Sequence, residues 1–349
     1  MRKKIRVRAG DGYDFIIGDG LLANVGELAA SVMNADRIAL FTDSTVGPLF
    51  ADAVEERLRR ARFETCRFVF EAGERSKNIA TTAEFLDFMA EHDLTRGDAV
   101  VALGGGVTGD MGGFAASIYQ RGIKFMQIPT TVLAAVDSSV GGKTGVDTRY
   151  GKNLTGTFWQ PSLVLCDTDT FEELSEDEIL CGYAEVIKSA AIRGPRIFRD
   201  LEEGKFRTAM PDIIARCVNI KSDVVAEDER ESGVRRILNF GHTMAHSIEL
   251  KSDYGMSHGK AVAIGMLMVT KASESRGMTE KGTYERLYDL IRREGYQTET
   301  EIPLEELCEA ARHDKKASGD SIRLVYLEKI GSAKTEKIKL QDLYEFYNV

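Results

Sequence analysis

Three of the chain's five histidines, His242, His246 and His258, fall between Gly241 and Gly259. His242 and His246 are four apart, so on a helix they share a face. Imidazoles gathered this way suit zinc or another transition metal, which takes three or four protein donors. His258, or a carboxylate such as Glu185 in the helix-compatible run GYAEVIK at 182–188, could complete the set. A histidine taken singly is more often a satisfied structural residue, and spacing leaves both outcomes open. A second chemistry-bearing run is GGGVTGD at 104–110. Glycines let the backbone approach a pyrophosphate closely, and a following helix start offers free N–H groups at its positive end. Gly104, Gly106 and Gly109 match a dinucleotide fingerprint, although no acid follows about twenty residues on to hold a ribose. Thr130 and Thr131 could add hydroxyls. The runs DSSVGGK at 137–143 and GKN at 151–153 are flexible turns that each carry a lysine, which suits a phosphate or carboxylate. The alternative for them is a pair of surface turns with solvated lysines. Arg121, Lys188, Lys221, Arg235 and Lys315 add cations whose convergence spacing does not show.

Elements must hold these groups. Residues 37–41, 66–70, 98–103 and 124–128 read as strands, and 46–62 and 78–92 carry apolar residues at helical spacing. Strand and helix in alternation imply a parallel sheet with crossover helices. After about residue 169 strand-like runs nearly vanish, and 177–192, 210–228 and 258–275 read as long amphipathic helices. The 349 residues exceed what one core usually serves. The expected organisation is an α/β nucleotide-binding domain over 1–168 and a mainly α-helical domain over 169–349. Residues 337–349 read as a surface element of undetermined type.

Composition removes several function classes. A formal net charge of −9 argues against a general nucleic-acid binder. The basic N-terminus is followed by no apolar run of signal-peptide length, and the longest apolar stretch, 261–270, is too short to span a bilayer. Five dispersed cysteines, Cys66, Cys166, Cys181, Cys217 and Cys308, form no Cys-x-x-Cys pair, so reduced thiols are expected. The expectation is a soluble, cytoplasmic protein that binds neither nucleic acid nor membrane.

The runs GGGVTGD at 104–110, YQRG at 119–122, PTT at 129–131, VDSSVGGKT at 136–144, GKN at 151–153, AEVIK at 184–188, LNFGHT at 238–243 and HG at 258–259 belong together. With DKK at 314–316, they resemble the 3-dehydroquinate synthase family of sugar-phosphate cyclases over nearly the whole chain. The resemblance implies a Rossmann-like N-terminal domain holding NAD, a helical domain holding Zn²⁺ or Co²⁺, and a homodimer. It places the metal on Glu185, His242 and His258, and moves His246 to the substrate phosphate, unlike the pairing suggested by spacing. Lys143, Asn153, His246, Lys315 and Arg121 resemble the phosphate contacts, Arg121 reaching from the partner subunit; whether Lys315 or Lys316 makes the contact stays open. Lys221 and Arg235 resemble the substrate-carboxylate contacts, and Asp137, Lys188 and Asn239 the groups that hold hydroxyls. Cofactor contacts are implied at Asp43, Glu74, Lys77, Gly105, Gly106, Val107, Thr108, Gly109, Asp110, Thr130, Thr131, Lys143 and Lys152.

The implied reaction converts 3-deoxy-D-arabino-heptulosonate 7-phosphate to 3-dehydroquinate and phosphate, by transient oxidation, β-elimination, reduction and intramolecular aldol closure. Two departures stand out: His258-Gly-Lys260 where the family often has His-Gly-Glu, and Met244-Ala245 where Phe-Gly is frequent. Lys260 puts a positive charge close in sequence to a metal ligand. Competing readings are a cyclase making 2-deoxy-scyllo-inosose or a valiolone, an oxidoreductase similar to glycerol dehydrogenase, and a noncatalytic NAD-binding protein.

Overall fold

The computed structural model describes residues 2–253, 255–312, 317–318 and 320–349. Lys315 and Lys316 lie outside the described residues. The chain forms two compact units, residues 1–179 with 221–230, and residues 180–220 with 231–349.

The first unit is an α/β sheet structure. Its elements in chain order are β1 (Lys3–Val7), β2 (Tyr13–Gly18), α1 (Val25–Val32), β3 (Arg37–Asp43), α2 (Asp52–Arg60), β4 (Glu64–Phe70) and α3 (Ile79–Glu91). Then follow β5 (Ala99–Gly104), α4 (Gly106–Ile118), β6 (Lys124–Pro129), β7 (Lys143–Thr148), β8 (Gly151–Phe158) and β9 (Leu163–Asp167). Seven strands pair in the order β1-β2-β9-β6-β5-β3-β4, while β7 and β8 form a separate hairpin. Only the edge pair β1–β2 is antiparallel in the seven-stranded sheet. Successive residues of one strand feed opposite cores: Leu40 and Val101 join one cluster, Phe41 and Val100 the other. A parallel strand covered on both faces therefore reads as a continuous apolar run, as AVVALG does in β5.

The strand order reverses beside β3. The chain passes from β3 outward to β4, then returns on the other side of β3 as β5 and continues to β6. Ligands of open α/β sheets bind beyond the carboxyl ends of the strands at such a reversal. The carboxyl ends of β3 and β5 carry Asp43 and Gly104.

The second unit is mainly helical. It takes in most of α5 (Glu176–Arg193), α6 (Pro195–Glu202), most of α7 (Met210–Glu227), α8 (His242–Lys251), α9 (His258–Ser275), α10 (Thr283–Arg293) and α11 (Leu304–Arg312). Helix α9 is buried almost all round, with Ala261, Val262, Ala263, Ile264 and Met266 fully covered. The longest apolar run of the sequence is thus a core helix, and no described helix is long and apolar enough to cross a membrane.

Two expectations need correction. The second half is not nearly free of strands: β10 (Ala317–Ser318), β11 (Ser321–Lys329) and β12 (Ser332–Lys339) make an antiparallel sheet, with Ile322, Leu324 and Leu327 buried. The helix expected at 46–62 is present but not α-helical throughout: Gly47–Ala51, with Pro48 in it, is wound as a wider π-helix that runs directly into α2. Residues 337–349 resolve into the end of β12 and a short α12 (Leu343–Tyr347), whose Leu343, Phe346 and Tyr347 are buried. All five cysteines are free.

Candidate active site

In the second unit, glycine contacts bring three helices together. Gly241 and Gly265 meet where the start of α8 crosses α9: a Cβ on Gly265 would collide with the Gly241 carbonyl, and one on Gly241 with Met266 N at 2.8 Å. Gly241 also needs its left-handed φ of 81°, which glycine supplies without strain. At the first turn of α9, a Cβ on Gly259 would lie 2.5 Å from Cys181 Cα, one helical turn before Glu185 on α5. His242, the first residue of α8, and His258, the first of α9, are thereby carried to Glu185.

Glu185, His242 and His258 offer one donor atom each, all within 4.8 Å of one another. His242 Nε2 lies 3.6 Å and His258 Nε2 3.5 Å from Glu185 Oε1. Each donor is oriented from behind. The buried Lys188 ammonium pairs with Glu185 Oε2, leaving Oε1 toward the imidazoles. Phe240 O accepts from His242 Nδ1 at 3.1 Å, and Glu249 Oε2 lies 3.4 Å from His258 Nδ1. Two imidazoles and one carboxylate are a donor set that fits a divalent ion, and three protein ligands are the number that catalytic zinc sites use.

The ring of His246 stands T-shaped to that of His242, with centroids 5.6 Å apart, but His246 is not among the three clustered donors. The His242–His246 pairing suggested by spacing gives way to His242 with His258 because α9 supplies the nearer ring. Lys260 follows His258 by two residues, so helical geometry turns it to another face of α9. In the turn that precedes α8, Arg235 is buried and Asn239 Nδ2 donates to Glu231 Oε1 at 2.5 Å.

In the first unit, β5 runs into α4 through the glycine run. The glycines divide by what their own surroundings demand. Added Cβ atoms would meet the Thr108 side chain at Gly104, Ala102 Cβ at 2.9 Å at Gly112 and Phe125 Cε1 at 2.9 Å at Gly113, so packing requires these three. Gly105, with φ −75°, would meet only Thr131 Cγ2 at 3.4 Å, and Gly106 only the end of the Ser138 side chain at 3.2 Å. Neither conformation nor close packing requires glycine at 105, while at 106 the Ser138 hydroxyl would have to give way slightly. Beside them, Thr130 N donates to Gly104 O at 3.0 Å, while the buried Thr130 Oγ1 has no hydrogen-bond partner among the described residues.

Other expected cofactor contacts serve local structure as well. Asp43 accepts the N–H groups of Thr45 and Val46 at 3.0 and 2.9 Å and the Thr108 hydroxyl at 3.1 Å. Thr131 Oγ1 accepts from Ala134 N at 3.1 Å, Val107 packs at the edge of a core cluster, and Gly109 leaves room for the Gln127 amide at 3.1 Å. Lys77 Nζ donates to Asp110 Oδ2 and to Asn153 Oδ1, each at 2.7 Å, and Lys152 stands 3.9 Å from Glu74. Burial draws Lys77 down, but the charges of Asp110, Glu74 and Asp147 outweigh it and hold the ammonium above its ordinary pKa.

The anion-binding candidates of this unit come from several elements. Lys221 Nζ donates to the backbone carbonyl of Asp137 at 2.6 Å and to its Oδ1 at 2.5 Å. Lys143 opens β7 opposite Phe158, and Asn153 lies near the start of β8 in a left-handed conformation, with φ 53°. Arg121 is exposed, with φ 69°, past the end of α4; Gly106 to Ile118 spans roughly 18 Å of helix.

Sequence reasoning missed Glu249, the Phe240 carbonyl and the Gly241–Gly265 and Gly259–Cys181 contacts. Glu249 had one signal, its position seven residues, or two turns, after His242. The glycine contacts join distant segments and leave no trace in spacing.

A family model described as 3-dehydroquinate synthase N-terminal matches residues 67–181, and one described as 3-dehydroquinate synthase C-terminal matches 182–317. A 3-dehydroquinate synthase of Enterococcus faecalis is 43% identical over 342 residues, 96% of each chain. Among solved structures, 2-deoxy-scyllo-inosose synthase complexed with carbaglucose-6-phosphate, NAD⁺ and Co²⁺ shares the fold, at TM-score 0.86 and 23% identity over 98% of this chain and 100% of that one. The 2-epi-5-epi-valiolone synthase of Streptomyces hygroscopicus subsp. jinggangensis, with NAD⁺ and Zn²⁺ bound, has a TM-score of 0.84 and 27% identity over 96% and 95% of the chains.

Proposed function

The chain belongs to the 3-dehydroquinate synthase family, and from that membership we infer the reaction: 3-deoxy-D-arabino-heptulosonate 7-phosphate becomes 3-dehydroquinate and inorganic phosphate. It is a carbon–oxygen lyase of the shikimate route to aromatic amino acids, dependent on NAD and a divalent metal. The observation that carries this reading is the Glu185–His242–His258 triad in a chain that matches both halves of the family. When bound, NAD supplies a reversible hydride acceptor and the metal a Lewis acid.

The chain's own residues bind and orient. Glu185, His242 and His258 hold the metal. Gly105, Gly106 and the Thr130 hydroxyl admit and contact the dinucleotide, with Asp43, Glu74, Lys77, Val107, Thr108, Gly109, Asp110, Thr131, Lys143 and Lys152 around it. The Arg235 guanidinium offers a planar fork to the substrate carboxylate, joined by Lys221. Asp137, Lys188 and Asn239 hold hydroxyls. His246, Lys143, Asn153 and either Lys315 or Lys316 hold the phosphate, and Arg121 comes from a second copy in a homodimer. Residues 1–168 serve the cofactor and also lend Arg121, Asp137, Lys143 and Asn153 to the substrate, while 169–349 hold the metal and the remaining substrate contacts, of which Lys221 packs with the first unit. The setting is cytoplasmic.

The test is one assay. Phosphate release from the heptulosonate phosphate should require metal and catalytic NAD, without net NADH. Stoichiometric NADH from a polyol would select a dehydrogenase instead, and equal turnover of a substrate lacking the carboxylate would select another cyclase.

A further inference from the structure

We infer that Glu249 is a positioning residue for the metal centre, acting through His258; this rests on the metal reading of the triad. Glu249 lies on α8 and His258 opens α9, so the contact joins two helices rather than neighbours along one. Glu249 is 5% exposed, and its Oε2 stands 3.4 Å from His258 Nδ1, while the other nitrogen of that ring faces Glu185 Oε1 at 3.5 Å. A carboxylate behind an imidazole keeps the proton on Nδ1, leaves the Nε2 lone pair to the metal and stops the ring from turning.

The two histidine ligands are held unequally. His242 has a neutral carbonyl behind it, Phe240 O, supplied by its own chain two residues earlier. His258 has a full negative charge, supplied by another helix.

The experiment measures metal affinity directly. Zn²⁺ binding to purified protein is followed by competition with a chromophoric chelator, and the Co²⁺ form by its visible spectrum. Glu249→Ala should weaken affinity by about 10- to 100-fold, the range for groups that orient metal ligands. Glu249→Gln, isosteric but uncharged, should recover part of the loss, and both variants should shift the Co²⁺ bands. His258→Ala is the reference for loss of a ligand. If the unsubstituted protein takes up no metal, the triad reading falls and this inference with it. If it does, and both Glu249 variants match its affinity and Co²⁺ spectrum, Glu249 alone is overturned. Circular dichroism and melting of the metal-free variants separate misfolding from weakened binding, and a correctly folded Glu249→Gln with intact affinity also refutes the role of the charge.

Discussion

At the scale of single residues, His258 couples metal, proton and stability. Burial pulls its imidazole down, but hydrogen bonds and charge from Glu185 and Glu249 outweigh this and raise it from 6.5 to about 9 in the metal-free protein. A folded value above the unfolded one gives stabilisation that is complete below pH 6.5 and lost as pH climbs through 9. Melting curves of the metal-free protein against His258→Asn should therefore converge across that window, and a constant gap would refute it. A metal must displace the same proton, so apparent affinity should rise about tenfold per pH unit toward 9. Arg235→Ala should raise KM by about 10- to 100-fold, the worth of a charge-assisted hydrogen bond, with a smaller loss in kcat. An unchanged KM would end the carboxylate assignment. At this scale the sequence was readable where chemistry demands residue type: an imidazole or a glycine against a phosphate has few substitutes. It was unreadable where a common residue acts through position. Glu249 is one of many glutamates, and only the packing of α8 against α9 sets it apart.

At the scale of elements, glycines sort into those whose packing leaves no room for a methyl group and those with space beside them. Gly259→Ala would press a Cβ onto Cys181 backbone, which cannot swing aside, so it should cost about 1–3 kcal/mol of stability and weaken metal binding too. Gly105→Ala meets a methyl at ordinary contact distance. Its melting temperature should match the parent's while NAD affinity falls, and calorimetry or fluorescence titration would show it. Helices and central strands were legible because burial on one face or both writes its own periodicity, as in α9 and β5. The β7–β8 hairpin was not, since its exposed strand carries polar and glycine residues without alternation. The sheet of β10 to β12 was overlooked because one strand, β12, is largely charged and shows its partner no apolar face.

At the scale of the whole molecule, the proposal of a homodimer makes Arg121 testable. Arg121→Ala and His246→Ala should each be inactive alone. If Arg121 serves the partner's site, mixing and re-equilibrating equal amounts of the two should restore about a quarter of the activity, since half the dimers then hold one intact site. No recovery, with mixed dimers demonstrated, would return Arg121 to its own subunit or to no role. The path of the chain has a further consequence. It leaves the first unit after residue 179, comes back for 221–230 and leaves again, and the returning segment brings Lys221 to Asp137. A gene fragment ending at 179 would encode every strand of the large sheet yet deprive Asp137 of its cation, and its complement would carry ten residues that pack elsewhere. Neither piece is heritable as a self-sufficient module, so recombination that splits the coding sequence once would damage both. The two units of this chain are in that sense inherited together.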